Sequence, residues 1–194
     1  MSLISLSRAY PSVRGAPVIE RVESDIFRLR YFTYCMDCDF CRDSCCSYGA
    51  DIDMDNVERL KGLGRPLADY IGRPADEWFD DKPIDDTEFP SGRMMRVRAE
   101  NGHCVFLDTK GRGCKVHTYC LERGLDYHVY KPFVCFLFGV TFEYGNLVPS
   151  NEIKDKSLAC YGKGPTLFGA AKGEIEAFFG PELVAELERV RDGL

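Results

Sequence analysis

The sequence predicts an α+β fold, with small hairpins and short helices packed around a cysteine-ligated metal centre and a C-terminal helical tail. Three observations lead there. Apolar runs are short and are separated at close intervals by turn signals such as Asn101-Gly102 and Gly145-Asn146. Helical spacing is sustained only near the end of the chain, where Leu183, Leu187 and Val190 make a one-sided stripe. Five of the ten cysteines fall between positions 35 and 46.

The elements follow in order. Residues 1–30 read as a lead-in, broken by Pro11, Gly15 and Pro17. A short strand or turn is expected over Phe27–Tyr34, ahead of the cysteine block. Asp55 is placed to cap a helix running through Val57 and Leu60 to Gly62. Pro66 and Pro74 suit the first position of two further short helices. The acidic stretch 76–88 reads as an exposed connection, and Met94–Ala99 as a strand. Asn101-Gly102 then turns the chain into a returning strand, Cys104–Leu107. Val116–Arg123 reads as a helix ending at Gly124, and the apolar run Phe133–Val140 as a buried strand. Thr141–Tyr144 and Leu147–Val148 flank a second hairpin turn, and Pro165–Arg191 forms two helices broken at Gly180-Pro181. The implied organisation is a lead-in at 1–34, a cysteine-rich metal-binding domain at 35–164, and C-terminal helices at 165–194 packed on that domain.

A chain of 194 residues with 25 basic and 31 acidic side chains carries a net charge of −6. That balance argues against a general nucleic-acid coat, which needs a basic surface. No apolar stretch is long enough to span a bilayer. The N-terminal residues lack the basic and apolar regions of a secretory signal. A cytoplasmic location is therefore expected, where thiols stay reduced and clustered cysteines point to metal or redox chemistry.

Cys35, Cys38, Cys41 and Cys45 have the spacing C-x2-C-x2-C-x3-C, that of a bacterial ferredoxin run. Two-residue gaps let a loop curl so that successive thiolates converge. No second run exists, so a ferredoxin fold is not supported. Cys46 adjoins Cys45, and neighbouring side chains diverge. The pair suits two centres, or one centre and the core. Single cysteines follow at 104, 114, 120, 135 and 160. Cys120 lies inside the expected helix and reads as a packed thiol.

These residues together resemble the YkgJ-type cysteine-cluster family of zinc- or iron-chelating domains. The likeness is carried by Cys38-x2-Cys41-x3-Cys45-Cys46, Cys104-Val-Phe-Leu, Cys114-Lys-Val-His, Lys131-Pro-Phe-Val-Cys135 and Cys160-Tyr-Gly-Lys-Gly. It covers residues 35–164. The stretch Cys41-Arg-Asp-Ser-Cys45-Cys46-Ser-Tyr-Gly also resembles the cysteine region of flagellin lysine N-methylases, in which an iron–sulfur cluster accompanies methyl transfer. That likeness implies cluster binding and stops there. The chain departs from the family pattern at Lys131, Phe136 and Gly139, where arginine, arginine and proline are usual, and Cys35 and Cys120 are extra.

The candidate ligands are Cys35, Cys38, Cys41, Cys45, Cys46, Cys104, Cys114, Cys135 and Cys160. One centre cannot use nine thiolates, so either two centres share them or some are not ligands. The expected cofactor is an iron–sulfur cluster, with zinc as the alternative. The expected role is redox or modification chemistry; the alternative is a structural zinc domain acting through a protein partner. His117 lies three residues from both Cys114 and Cys120, which would allow a mixed zinc site, but a helix histidine packed on its neighbours is the simpler reading. His103 reads as a turn residue. Arg93, Arg96 and Arg98 read as a solvated strand face. Gly62-x-Gly64 lacks the Lys-Ser/Thr of a phosphate loop.

Overall fold

The computed structural model describes residues 2–32, 36, 38 and 40–194. The strands are β1 (Leu3–Pro11), β2 (Val18–Glu23), β3 (Arg30–Tyr31), β4 (Asp51–Asp53), β5 (Ile84–Asp85), β6 (Arg93–Arg96), β7 (Ala99–Glu100), β8 (His103–Cys104), β9 (Val140–Glu143), β10 (Asn146–Pro149) and β11 (Tyr161–Thr166). The helices are α1 (Met54–Gly62), α2 (Gly64–Ile71), α3 (Lys115–Glu122), α4 (Tyr127–Tyr130), α5 (Phe133–Phe136), α6 (Asn151–Lys154), α7 (Leu167–Phe179) and α8 (Pro181–Asp192). The class is α+β, as the short elements and close turn signals predict. Among the described residues no helix is long and apolar enough to cross a membrane. The described residues divide into two compact units, one drawn from 1–34, 38–41 and 137–194, the other from 35–37 and 42–136.

The first unit is built on a four-stranded sheet of order β1-β2-β10-β9. Residues 3–11 and 18–23, expected as an irregular lead-in, instead pair as antiparallel strands. Leu6 and Tyr10 are the buried residues of β1, and the register shift between Ser5 and Tyr10 breaks the simple alternation that marks a strand. Pro11 costs nothing where it stands, at the end of its strand. β9 and β10 form the second hairpin, turning at Tyr144-Gly145, both with positive φ, one residue earlier than expected. The C-terminal reading holds, since α7 and α8 meet at Gly180-Pro181. Leu167, Ile175, Leu183 and Leu187 are fully buried, giving the tail its core face. Buried Glu186 on α8 accepts the Ser7 N–H of β1 at 2.7 Å. Of the expected strand at 27–34, Arg30–Tyr31 forms one, while Thr33 and Tyr34 lie outside the described residues.

The second unit has a core of Ile52, Val57, Leu60, Leu67, Trp78, Phe106, Val116 and Cys120, with Trp78 stacked edge-on against Phe79 and Phe106. The cap of α1 is Asp53, not Asp55: its carboxylate accepts the Asp55 N–H at 3.0 Å and also binds Ser91 N–H and Oγ. Pro66 is the third residue of α2 and Pro74 precedes a short 3-10 turn; both sites lack an intrahelical N–H bond, so proline is tolerated at either. The stretch 76–88 is only partly an exposed connection, because Trp78 and Phe79 are buried within it. Its acidic residues have a use. Arg98 pairs with Asp80 and Asp81 and Arg93 with Asp85, while Arg96 pairs with Asp51 of β4.

Two further expectations fail locally. Phe133–Val140 is not a strand: one helical turn, Phe133–Phe136, follows Pro132, and Gly139 at φ +102° then redirects the chain into β9. A continuous apolar run fits a buried helical turn as well as a strand. Likewise the returning strand stops at Cys104, since the Leu107 N–H closes back on the Cys104 carbonyl at 2.9 Å.

Candidate metal centre

In the first unit, Cys38 and Cys41 come from a loop and Cys160 from the entry to β11. Their three sulfurs all lie within 4.8 Å of one another, and Cys38 Sγ is 3.9 Å from Cys160 Sγ. All three side chains are buried, at 2%, 6% and 5% exposure.

Local sequence explains the convergence. Two residues between Cys38 and Cys41 let the loop fold back so that the N–H groups of Phe40 and Cys41 point at the Cys38 sulfur. On the other side, β11 pairs with β3 through a bulge between Tyr161 and Thr166. Gly162 and Gly164 hold positive φ there, and a Cβ on Gly164 would press on Tyr31 O and Phe32 Cα at 3.3 Å. The Phe32 N–H donates to the Cys160 carbonyl at 3.2 Å, which fixes Cys160 against the strand. Phe40 stacks edge-on against Phe32, and Lys163 Nζ sits 3.8 Å above the Phe40 ring.

The thiols do not titrate alike. Burial pushes Cys38 up, but bonds from the Cys41 thiol, the Phe40 and Cys41 N–H groups and the Cys160 thiol outweigh it, so its pKa falls below the ordinary value. Cys160 goes the other way, through burial and then the neighbouring Cys41 and Cys38. Once one thiol ionises, its neighbours resist ionisation, because like charges would then share a buried site. A bound cation removes that conflict.

The remaining expected ligands lie elsewhere. Cys45 and Cys46 sit half-buried in a 3-10 turn, Ser44–Cys46, of the second unit. Cys104 ends β8, Cys114 precedes α3, and Cys135 lies in α5. Cys35 lies outside the described residues. Cys120 is fully buried in the second core, as a packed thiol should be. His117 stacks on Tyr127 with ring centroids 4.1 Å apart, and burial, Lys131 and His128 bring its pKa down to about 4. His103 stands in the β7–β8 hairpin opposite Glu100. Spacing alone does not reveal that Lys163 packs over the Phe40 ring. The lysine does lie within the Cys160-Tyr-Gly-Lys-Gly segment, which was the available hint.

No family model, curated protein or solved structure matches the chain. The site therefore rests on its own geometry: a buried cysteine triad able to hold a metal ion.

Proposed function

We propose that this is a thiolate metal-binding protein whose triad Cys38, Cys41 and Cys160 holds a single tetrahedral ion, zinc first. The observation that carries the reading is the approach of three buried sulfurs within 4.8 Å. With zinc–sulfur bonds of about 2.3 Å, the sulfurs of a tetrahedral site stand about 3.8 Å apart. The 3.9 Å between Cys38 and Cys160 agrees with that edge. Thiolates of a [4Fe–4S] cluster cap different iron atoms and stand further apart. The ion ties a loop to a strand 122 positions away, so its binding energy is also folding energy. Such a domain would act through a protein partner.

An iron–sulfur centre in a redox or modification role is the second reading. It is supported by the C-x2-C-x2-C-x3-C run and by the resemblance to YkgJ-type domains.

The test is metal and sulfide analysis on protein purified without oxygen, for the wild type and for Cys38→Ser and Cys160→Ser. Loss of one zinc equivalent in both variants supports the single-ion reading. Loss of iron and sulfide in both, with a broad band near ~400 nm disappearing, supports the second. Unchanged metal content in both variants overturns the assignment of these residues.

A further inference from the structure

The β3–β11 pair beside Cys160 carries cations that the first unit leaves without counter-ions. Elsewhere in that unit charges are matched: Arg28 pairs with Asp25, Lys154 with Glu23, Lys172 with Glu188 and Arg189 with Glu186. Arg30, Lys156 and Lys163 are exposed, and among the described residues none of the three pairs with a carboxylate. The chain has 31 acidic side chains against 25 basic ones, so a shortage of carboxylates does not explain this.

A chain of short contacts holds the three on one small patch. The Cys160 carbonyl accepts the N–H of Phe32 at 3.2 Å and that of Lys163 at 3.3 Å, so the turn after Cys160 sets the lysine against β3. The Lys163 ammonium lies 3.8 Å above the Phe40 ring, which meets Phe32 edge-on with centroids 5.6 Å apart. Phe40 is itself 37% exposed. Arg30 Nε donates to the Gly164 carbonyl at 2.6 Å, which brings its guanidinium to the backbone next to Lys163. Lys156 Nζ stands 5.7 Å over the ring of Tyr161, the residue after Cys160. Each cationic head is thus positioned by a ring or a carbonyl. Such contacts orient a cation and leave its charge unneutralised.

We propose that this patch, with Arg30, Lys156 and Lys163 around the exposed Phe40, is the docking surface for an acidic segment of a partner protein. Exposed cations without counter-ions favour an anionic partner by charge complementarity. An acidic peptide fits better than single-stranded nucleic acid, which stacks its bases on open aromatic faces along a basic groove. Here Lys163 covers the Phe40 ring and Lys156 the Tyr161 ring. The net charge of −6 also repels a long polyanion. In one respect the inference rests on the triad reading above. Phe40 lies between Cys38 and Cys41, so a metal held by the triad fixes the loop that carries Phe40 under Lys163. Metal loss should therefore weaken docking.

The probe is a fluorescein-labelled oligoglutamate peptide, titrated by anisotropy against the full metal-bound chain at low ionic strength, with a labelled oligothymidylate in parallel. The peptide should bind, and binding should weaken as salt rises. The double variant Arg30→Glu/Lys163→Glu should lose about tenfold in affinity. Lys82→Glu, at an exposed lysine of the second unit, should change it less than about twofold. Should the double variant fail to fold, Lys156→Glu, which lies outside both strands, takes its place. The proposal is overturned if the peptide does not bind, if Lys82→Glu costs as much as the double variant, or if the oligothymidylate binds more tightly and the double variant weakens it. Cys160→Ser separates the two readings. If that variant keeps its metal, the triad assignment falls, while peptide binding that depends on Arg30 and Lys163 still supports the surface. If it loses its metal and binds the peptide more weakly, the coupling is supported; metal loss with unchanged peptide affinity overturns the coupling.

Discussion

The sulfur of Cys38 lies 3.9 Å from that of Cys160 across 122 positions of sequence. No local force makes that contact. It exists because β11 is registered on β3 and because the loop at Cys38 curls back within the same unit. Two buried thiols at that distance gain little from each other and much from a shared cation. Cys160→Ser should therefore weaken metal binding by more than the ~10–100-fold typical of losing a supporting group around a ligand. Competition with a chromophoric chelator measures it, and an unchanged affinity would remove Cys160 from the site.

Cys120 is the contrasting case. It is fully buried in the second core. Cys120→Ser should leave the metal content unchanged while destabilising the chain by about 1–3 kcal/mol, the cost of burying a hydroxyl there. Cys120→Ala should cost less. Denaturant melts alongside metal analysis separate the two effects; metal loss in either variant would contradict this placement.

Asp53 is fully buried and makes three hydrogen bonds, one to the start of α1 and two to Ser91. Asp53→Ala removes a helix cap and strands the Ser91 donors, so a loss of about 2–4 kcal/mol is expected. Asp55→Ala should cost far less, since Asp55 contributes only its backbone N–H to the cap. Equal losses in urea unfolding of the two variants would reverse that assignment.

His117 gives the acid response a sign. Its folded pKa of about 4 is depressed from the ordinary 6.5, chiefly by burial. The neutral ring is the form that the fold prefers. Its contribution is therefore present above pH 6.5 and is lost as pH falls from 6.5 toward 4. Solvent screening of the half-buried ring keeps the effect below the roughly 3 kcal/mol that the whole shift would give. The metal-free chain should lose stability over that window, and His117→Phe should flatten the slope. An NMR titration placing the His117 ring near pH 6.5 would defeat the prediction.

Trp78 is fully buried and donates its indole N–H to the Arg73 carbonyl at 3.0 Å. Trp78→Ala should cost about 3–5 kcal/mol through the cavity it leaves. As the single tryptophan of the chain, it also reports folding by its own fluorescence. A loss below 1 kcal/mol in Trp78→Phe would show that the indole hydrogen bond contributes little beyond packing.

Much of the chain is legible residue by residue. Asn101-Gly102 and Gly180-Pro181 were readable because each needs a particular backbone geometry that few other residues supply. Residue type does not separate Asp53 from Asp55 as a cap; the Ser91 contacts of Asp53 do. Phe133–Val140 misled because apolar content says that a segment is buried but not how it is coiled. The N-terminal strands are masked by three breakers and by the register shift between Ser5 and Tyr10, which interrupts alternation in β1.

The cysteine positions alone pointed to metal binding, because cysteines repeated at two- and three-residue gaps let a loop bring successive thiols together. They could not say which thiols belong together. Cys38 and Cys41 meet Cys160, while Cys46, Cys104, Cys114 and Cys135 lie in the second unit. Ligand grouping depends on which distant strands and turns are packed side by side. That is set by long-range pairing and core burial, whereas spacing governs only the reach of each loop.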